Sequence, residues 1–497
     1  MEYLIGIDMG TTNTKAIVFD TEGNQAAAAS LPTPTKHVEG GGAVYDPETE
    51  WRNVCRLLSS CAEQLEETNG RGERNKIRGI AVTGMGEAGV PLDQDGHPLY
   101  PVIAWFDPRT LGSAEELREM LGDEKILQIT GLKNQYIFTA NKLLWLRRNE
   151  PDVFGRMKLW HCMPDYISYR LCGSSAMDYS LACRTMLFDQ NRGTWSGDML
   201  DAVGLREEQL PAAVPGGTKI GTLRGEAARE CGLPAGIGVY AGGHDHICGA
   251  LACGVWDADS LLDSSGTAEE ILTATTDRDT MRLYGRGGYN CGYHVRAGSY
   301  YIAGGIPASG ASVDWAAKVF PDNGGSGDPL ARGLLFLPHL RGSSSPERSR
   351  VSAGVFLGLR DYHTHADLRQ AVCEGVCFEM RQMMERISRP KRIVSIGGGT
   401  KNKRWLQTKA DVTGHRIEVP SVQEATALGA AILAGIGGGI YRDAEDAFAH
   451  TYRIGEEVFP NPELTEEYDA LFSVFQNIDM AIRPLSADIT RLKKEEL

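Results

Sequence analysis

The amino-acid sequence predicts an α/β protein of two related domains, and three observations carry that prediction. A strand–turn–strand unit with small polar residues in its turn opens the chain at residues 3–19, and a second such unit spans residues 260–273. Each is followed by alternating helical and strand patterns, which layer helices against a sheet. The 497 residues also exceed the roughly 250–300 that a single core organises.

The elements follow in order. Residues 3–7 are a continuous apolar run and read as a buried strand, residues 8–14 as a polar turn, and residues 15–19 as a second strand. After a turn at 20–24, residues 25–30 begin a third strand, giving an antiparallel meander. Trp51, Val54, Leu57, Leu58 and Leu65 keep helical spacing over about residues 48–67, and residues 77–83 read as a strand. The Gly-rich stretch 234–254 reads as the boundary region. Beyond the second meander, Leu368, Val372, Val376, Met380 and Ile387 predict a helix over 367–387 with Asp367 as its N-cap. Residues 392–396 read as a strand closed by Gly397, Gly398, Gly399 and Thr400, and a helix follows over about 402–413. The expected division is 1–250, 251–450 and a charged, peripheral tail at 451–497.

Composition narrows the function. With 42% hydrophobic and 23% charged residues the chain is not disordered. The 59 glycines follow no triplet period, which excludes collagen. Net charge is 51 − 65 = −14 with no long basic run, so neither nucleic acid nor an anionic membrane is an expected partner. Phosphate ligands stay open, because backbone N–H groups and Mg²⁺ hold phosphates locally. Eleven cysteines, an odd number without a C-x-x-C pair, suit a reduced, cytoplasmic protein. The N-terminus lacks the pattern of a signal peptide, and the nearly apolar run at 425–440 is too short and Gly-rich for a membrane span.

Five constellations carry chemistry. In the first, Asp8 stands at a strand end where a carboxylate holds Mg²⁺ or its waters, and Gly10 lets backbone approach a ligand. Thr11, Thr12, Asn13 and the turn N–H groups offer donors to phosphate, and Lys15 adds charge; a plain polar hairpin is the competing reading. No Walker A loop occurs anywhere. The second, Ser264, Ser265, Gly266 and Thr267, echoes the first and suggests a phosphate chain held from both sides. The third is the 397–400 glycine turn; a dinucleotide fingerprint fails there because position 402 is Asn402. In the fourth, Gly242, Gly243, His244, Asp245 and His246, Asp245 is placed to accept a proton from an attacking hydroxyl, while His-x-His is alternatively a metal pair or a loop with satisfied histidines. The fifth joins residues 83–87, with Glu87, to Trp105, Asp107 and Arg109; carboxylate, guanidinium and indole suit a polyhydroxylated ligand, and a surface Asp107–Arg109 salt bridge explains that pair equally well.

Taken in order, these segments resemble the FGGY carbohydrate kinases over residues 3 to about 450, above all in the Asp8–Lys15, Gly242–Asp245 and Ser264–Thr267 motifs and in residues 397–414. The resemblance implies two actin-like, ribonuclease H-like domains flanking a catalytic cleft, with transfer of the ATP γ-phosphoryl group to a sugar or polyol hydroxyl. Carried over by position, it makes Asp245 the general base and Asp8 the support for Mg²⁺. It sets Thr11, Thr12, Asn13 and Lys15 near the phosphates with Gly266 and Thr267 opposite, and Gly310, Asp314 and Gly399 at the nucleotide. Glu87, Trp105, Asp107, Tyr136 and His246 match sugar-pocket positions. Glycerol-phosphorylating members carry Arg-Glu where this chain has Gly86 and Glu87, and xylulose-phosphorylating members carry a His where it has Glu87. Both departures count against those two acceptors and leave a ketose or polyol of five or six carbons favoured. Members of the family often assemble as dimers or tetramers, so a homo-oligomer is a further expectation. The alternatives are an actin-like ATPase switch and a sugar-binding regulator without kinase activity.

Overall fold

The structure is a computed structural model, in which residues 2–321, 330–343 and 345–493 are described. Two sheets repeat one topology. The first contains β1 (Tyr3–Met9), β2 (Asn13–Asp20), β3 (Gln25–Pro32), β4 (Ile77–Gly84), β5 (Lys219–Thr222) and β6 (Gly238–His244) in the order β5-β6-β4-β1-β2-β3. β1 to β3 form the antiparallel meander, and β4 and β6 run parallel to β1. The second contains β7 (Ser260–Ser265), β8 (Glu269–Thr275), β9 (Asn290–Tyr293), β10 (Tyr300–Ile306), β11 (Arg392–Ile396), β12 (Ile417–Pro420) and β13 (Ile454–Val458) in the order β9-β10-β8-β7-β11-β12-β13. Again a meander leads into parallel strands, here β7, β11 and β12. This is the duplicated arrangement that the resemblance implied.

The two sheets face each other across a pair of helices, Asp245–Ala252 and Ala425–Gly437. The second is apolar nearly all round because it is covered on every side, by the first sheet and by its partner helix. That burial is the physical origin of the apolar run at 425–440, and among the described residues no helix is long and apolar enough to cross a membrane. Two glycines permit the approach. A Cβ at Gly6 would stand 1.8 Å from the Ala427 carbonyl oxygen, and one at Gly429 would stand 1.9 Å from that of Cys248.

Outside these layers, the helix Pro47–Asn69 packs Trp51, Val54, Leu58 and Leu65 into the core of the first sheet, and Asp46 caps it by accepting from the Glu48 N–H. Between β4 and β5 lies a largely helical insertion with its own core, built around Phe138, Leu143, Trp160, Leu181 and Phe188.

The boundary stretch 234–254 holds β6 and the central helix Asp245–Ala252, and its glycines serve close packing. Two expectations need correction. The helix His365–Ile387 is capped by Thr364, which forms a capping box with Asp367, so Asp367 sits inside the first turn. The tail is integral rather than peripheral. β13 pairs with β12, and the helix Pro462–Lys493 buries Tyr468, Phe472, Phe475 and Ile478 against the second sheet's helices. Its charged face is the solvent side of an amphipathic helix. All eleven cysteines are free thiols.

The central helix pair has no room for a side chain at Gly429. Gly429→Ala should therefore destabilise the protein by about 1–3 kcal/mol through overpacking, read as a lower Tm. Gly155→Ala, at a helical position with open space around it, should leave Tm unchanged or raise it.

Candidate functional site

β1, β4 and β6 run parallel and end side by side. Asp8 pairs with Thr83, Gly243 with Thr83, and His244 with Gly84. Asp8 and Asp245 thus emerge on either side of the β4 terminus, at the carboxyl edge where open α/β sheets bind ligands. Asp8 Oδ1 is buried without a hydrogen-bond partner. Burial, reinforced by Asp245 and opposed by Lys15, pushes the Asp8 carboxyl up to about 7. Asp245 opens the helix Asp245–Ala252 and its Oδ1 accepts from the His246 N–H at 2.7 Å. Burial raises this group too, but the His246 and His244 imidazoles, the His246 N–H and the Arg184 guanidinium together hold Asp245 below the usual carboxylate range. His244 Nδ1 stands 3.0 Å from Asp245 Oδ1, and burial pushes that imidazole down to about 3, so it is neutral. Neither His244 nor His246 belongs to a three-ligand cluster of metal-binding side chains among the described residues.

Facing these carboxylates are two turns. In the first, the Gly10 N–H donates to the Asn13 carbonyl, Thr33 closes onto Gly10 and Thr12, and Thr12 is exposed. Lys15 Nζ lies 2.6 Å from Glu424 Oε2, so its charge is already engaged across the two halves. In the second, the Gly310 and Ala311 N–H groups at the start of the helix Ser309–Val319 donate to the Gly266 and Thr267 carbonyls at 3.2 and 3.1 Å. Asp314 follows Gly310 by four residues on the same helix and is exposed. A Cβ at Gly399 would stand 2.6 Å from that of Ser265, so the 397–400 turn lies against the second turn. His246 Nδ1 bonds Ser264 Oγ at 3.1 Å and joins the two halves at the turn itself.

The remaining candidates come from the insertion. Glu87 is 3% exposed and holds a left-handed backbone, φ 64°, unusual for a residue with a side chain. Its carboxylate receives Arg184 Nε at 2.6 Å and the same guanidinium's Nη2, and Arg184 lies over the Phe138 ring. Gly86 leaves Glu87 without an arginine beside it in the chain; the fold supplies one from 97 residues away. Trp105 Nε1 donates to Thr11 Oγ1 at 3.1 Å and so links the 105–109 loop to the first turn. Asp107 is fully buried, and its oxygens accept from the Ala43 and Arg109 N–H groups and from the Arg109 guanidinium. Its bonding capacity is thereby spent on holding the 105–109 loop, and the Arg109 pair is a buried clamp, not a surface bridge. Tyr136 lies under Arg350 of the second half, whose guanidinium carbon is 5.6 Å from the ring centroid, and the neighbouring Gln135 accepts from Arg348. Arg184, Arg348 and Arg350 escaped the sequence reading; only the unpaired look of Glu87 pointed toward one of them.

The Glu87–Arg184 pair is almost dry, so removing one partner leaves an uncompensated charge. Arg184→Met should cost about 3–5 kcal/mol in a denaturant titration. Arg184→Met with Glu87→Gln should recover most of that loss.

Comparison with known proteins agrees with this geometry. The N-terminal domain model of the FGGY family of carbohydrate kinases matches residues 3–252, and the C-terminal domain model matches residues 281–438. The chain is 30% identical to the xylulose kinase of Bacillus subtilis, covering 99% of this chain and 100% of that protein. It is 29% identical to the L-fuculokinase of Escherichia coli, covering 94% and 99%. Among solved structures, the xylulose kinase from Rhodospirillum rubrum superposes with a TM-score of 0.87 at 30% identity, covering 98% of this chain and 100% of that one. The duplicated sheet is the actin-like, ribonuclease H-like fold, and the cleft between its halves is where the sequence motifs converge. The chain belongs to the FGGY family of carbohydrate kinases, which phosphorylate sugars at the expense of ATP.

Proposed function

We propose that this kinase phosphorylates a hydroxyl of a small ketose or polyol of five or six carbons, with Asp245 as the general base. The observation that carries the proposal is the pairing of two unlike carboxylates at one strand edge. Asp245 is held ionised by its own helix start and by His246, which suits a group that takes the proton of the attacking hydroxyl. General bases of this kind contribute about 10²–10⁴-fold in rate. Asp8 has the opposite character: an orphaned, buried oxygen whose ionisation is resisted. A divalent cation would satisfy it, so the residues present fit Mg²⁺, with Asp8 as its support. When bound, Mg²⁺ neutralises charge on the triphosphate. Thr11, Thr12 and Asn13 offer donors on one side and Gly266 and Thr267 on the other, while Gly310, Asp314 and Gly399 line the nucleotide. Lys15 contributes through its field on Asp8, since its ammonium is paired with Glu424.

Glu87, oriented by Arg184, accepts from sugar hydroxyls; Trp105, Tyr136 and His246 complete the pocket, and Asp107 fixes its floor. As the hydroxyl oxygen attacks the γ-phosphorus, its proton passes to Asp245 and ADP leaves with the bond electrons. Closure of the halves keeps water from taking the phosphoryl group. The xylulose and fuculose named for the relatives are small sugars of this size class. We further propose a division into two halves near residue 250, with 451–497 belonging to the second half, a cytoplasmic location and a homo-oligomer, with neither nucleic acid nor membrane as partner. The switch and regulator readings have no observation in their favour. One observation favours a second acceptor class, the sugar acids: Arg348 and Arg350 converge on Gln135 and Tyr136.

ADP release with Mg-ATP should be measured across ketoses, polyols, aldoses and aldonates. A neutral ketose or polyol should give the highest kcat/KM, and Asp245→Asn should abolish its turnover while ADP binding persists. Full turnover in Asp245→Asn would sink the assignment of the base. An aldonate as best acceptor, lost in Arg350→Gln, would establish the second class.

A further inference from the structure

Three segments assigned above to the nucleotide hang from one buried anchor. Lys409, on the helix Lys403–Thr413, places Nζ 2.6 Å from Asp263 Oδ2 and 3.2 Å from Glu269 Oε1, and donates to Ser265 Oγ. Asp263 and Ser265 lie at the end of β7 and Glu269 at the start of β8, so these groups bracket the 264–268 turn from beneath. Asp263 Oδ2 also accepts from Ser395 Oγ at 2.6 Å, two residues before Gly397. Glu269 Oε2 accepts at 2.5 Å from Ser309 Oγ, the first residue of the helix that carries Gly310 and Asp314. All six side chains are at most 2% exposed.

Such a cluster is a poor way to gain stability. Taking charges out of water is costly, and well-packed apolar residues of similar volume often serve as well or better. What it supplies is direction: each bond fixes one segment relative to the others. Burial, with Asp263 adding to it and Lys409 opposing, pushes the Glu269 carboxyl up. Burial would strip the Lys409 ammonium, but Asp263 and Glu269 more than restore it.

We propose that Lys409 is a positioning residue for the nucleotide, tying the 264–268 turn, the 397–400 turn and the start of the helix Ser309–Val319 into one rigid cradle. The inference rests on the reading that these segments hold ATP. Lys409 touches no substrate. The sugar-side residues Glu87, Trp105 and Tyr136 belong to the other half, so its loss acts on one substrate only.

The test is a split between two Michaelis constants, measured on the full chain with the best acceptor from the panel. Lys409→Met should raise KM for ATP, and Kd for ADP by calorimetry, about tenfold or more, with KM for the sugar unchanged. Asp263→Asn with Lys409→Met removes both charges together and should show the same split. Ser309→Ala and Ser395→Ala each remove one hydrogen bond without stranding a charge, and each should raise KM for ATP about threefold. Gly310→Ala is the control for the underlying reading, because its Cβ would stand 2.3 Å from the Gly266 carbonyl oxygen and must move the turn directly. If Gly310→Ala leaves KM for ATP unchanged, the placement of the nucleotide falls. If Gly310→Ala raises it while the serine variants and the folded Lys409 variants do not, the positioning role is overturned. A parallel rise in both Michaelis constants overturns it as well.

Discussion

Everything in this cleft depends on how closely one helix approaches backbone. Ala425–Gly437 rests on β1 at Gly6 and on the helix Asp245–Ala252 at Gly429, and a Cβ at Gly242 of β6 would stand 2.0 Å from the Val82 carbonyl oxygen of β4. These are backbone contacts without side-chain padding, and packed interiors have little slack to redistribute. Asp8 sits at the end of β1, and Asp245 at the start of the helix that Gly429 touches. The separation of the two carboxylates is thus set by backbone contact, with no flexible side chain between.

That rigidity makes an electrostatic division of labour stable. Two carboxylates near one another repel, and the environment decides which yields. Asp245 has a helix start and an imidazole; Asp8 has a buried oxygen and a lysine whose charge is shared with Glu424.

Much of the scaffold was legible in the sequence. Buried parallel strands are apolar runs ended by glycine or polar turns, so the strands at 77–84 and 392–396 were readable nearly to the residue. The motif turns were readable because small polar residues at a strand end have few other uses. Long-range pairing was not. Nothing local to Arg184 points to Glu87, and Lys409 lies in a polar stretch whose burial depends on Asp263 and Glu269, more than a hundred residues earlier. The glycines at 234–254 mark a boundary in the sequence and serve close packing in the fold, because close approach and turn-making draw on the same residue. The final helix hid its apolar face, Tyr468, Phe472 and Phe475, within a charged composition, although that face keeps helical spacing.

The insertion between β4 and β5 separates two kinds of change. Glu87, Trp105, Tyr136 and Arg184 all come from it, and it has its own core; Asp8, Asp245 and both small-residue turns come from the duplicated sheets and the helices they carry. A repacked core in the insertion would therefore shift Glu87, Trp105, Tyr136 and Arg184 as one body against Asp8 and Asp245, with the bond from Trp105 to Thr11 as the tie between the two parts.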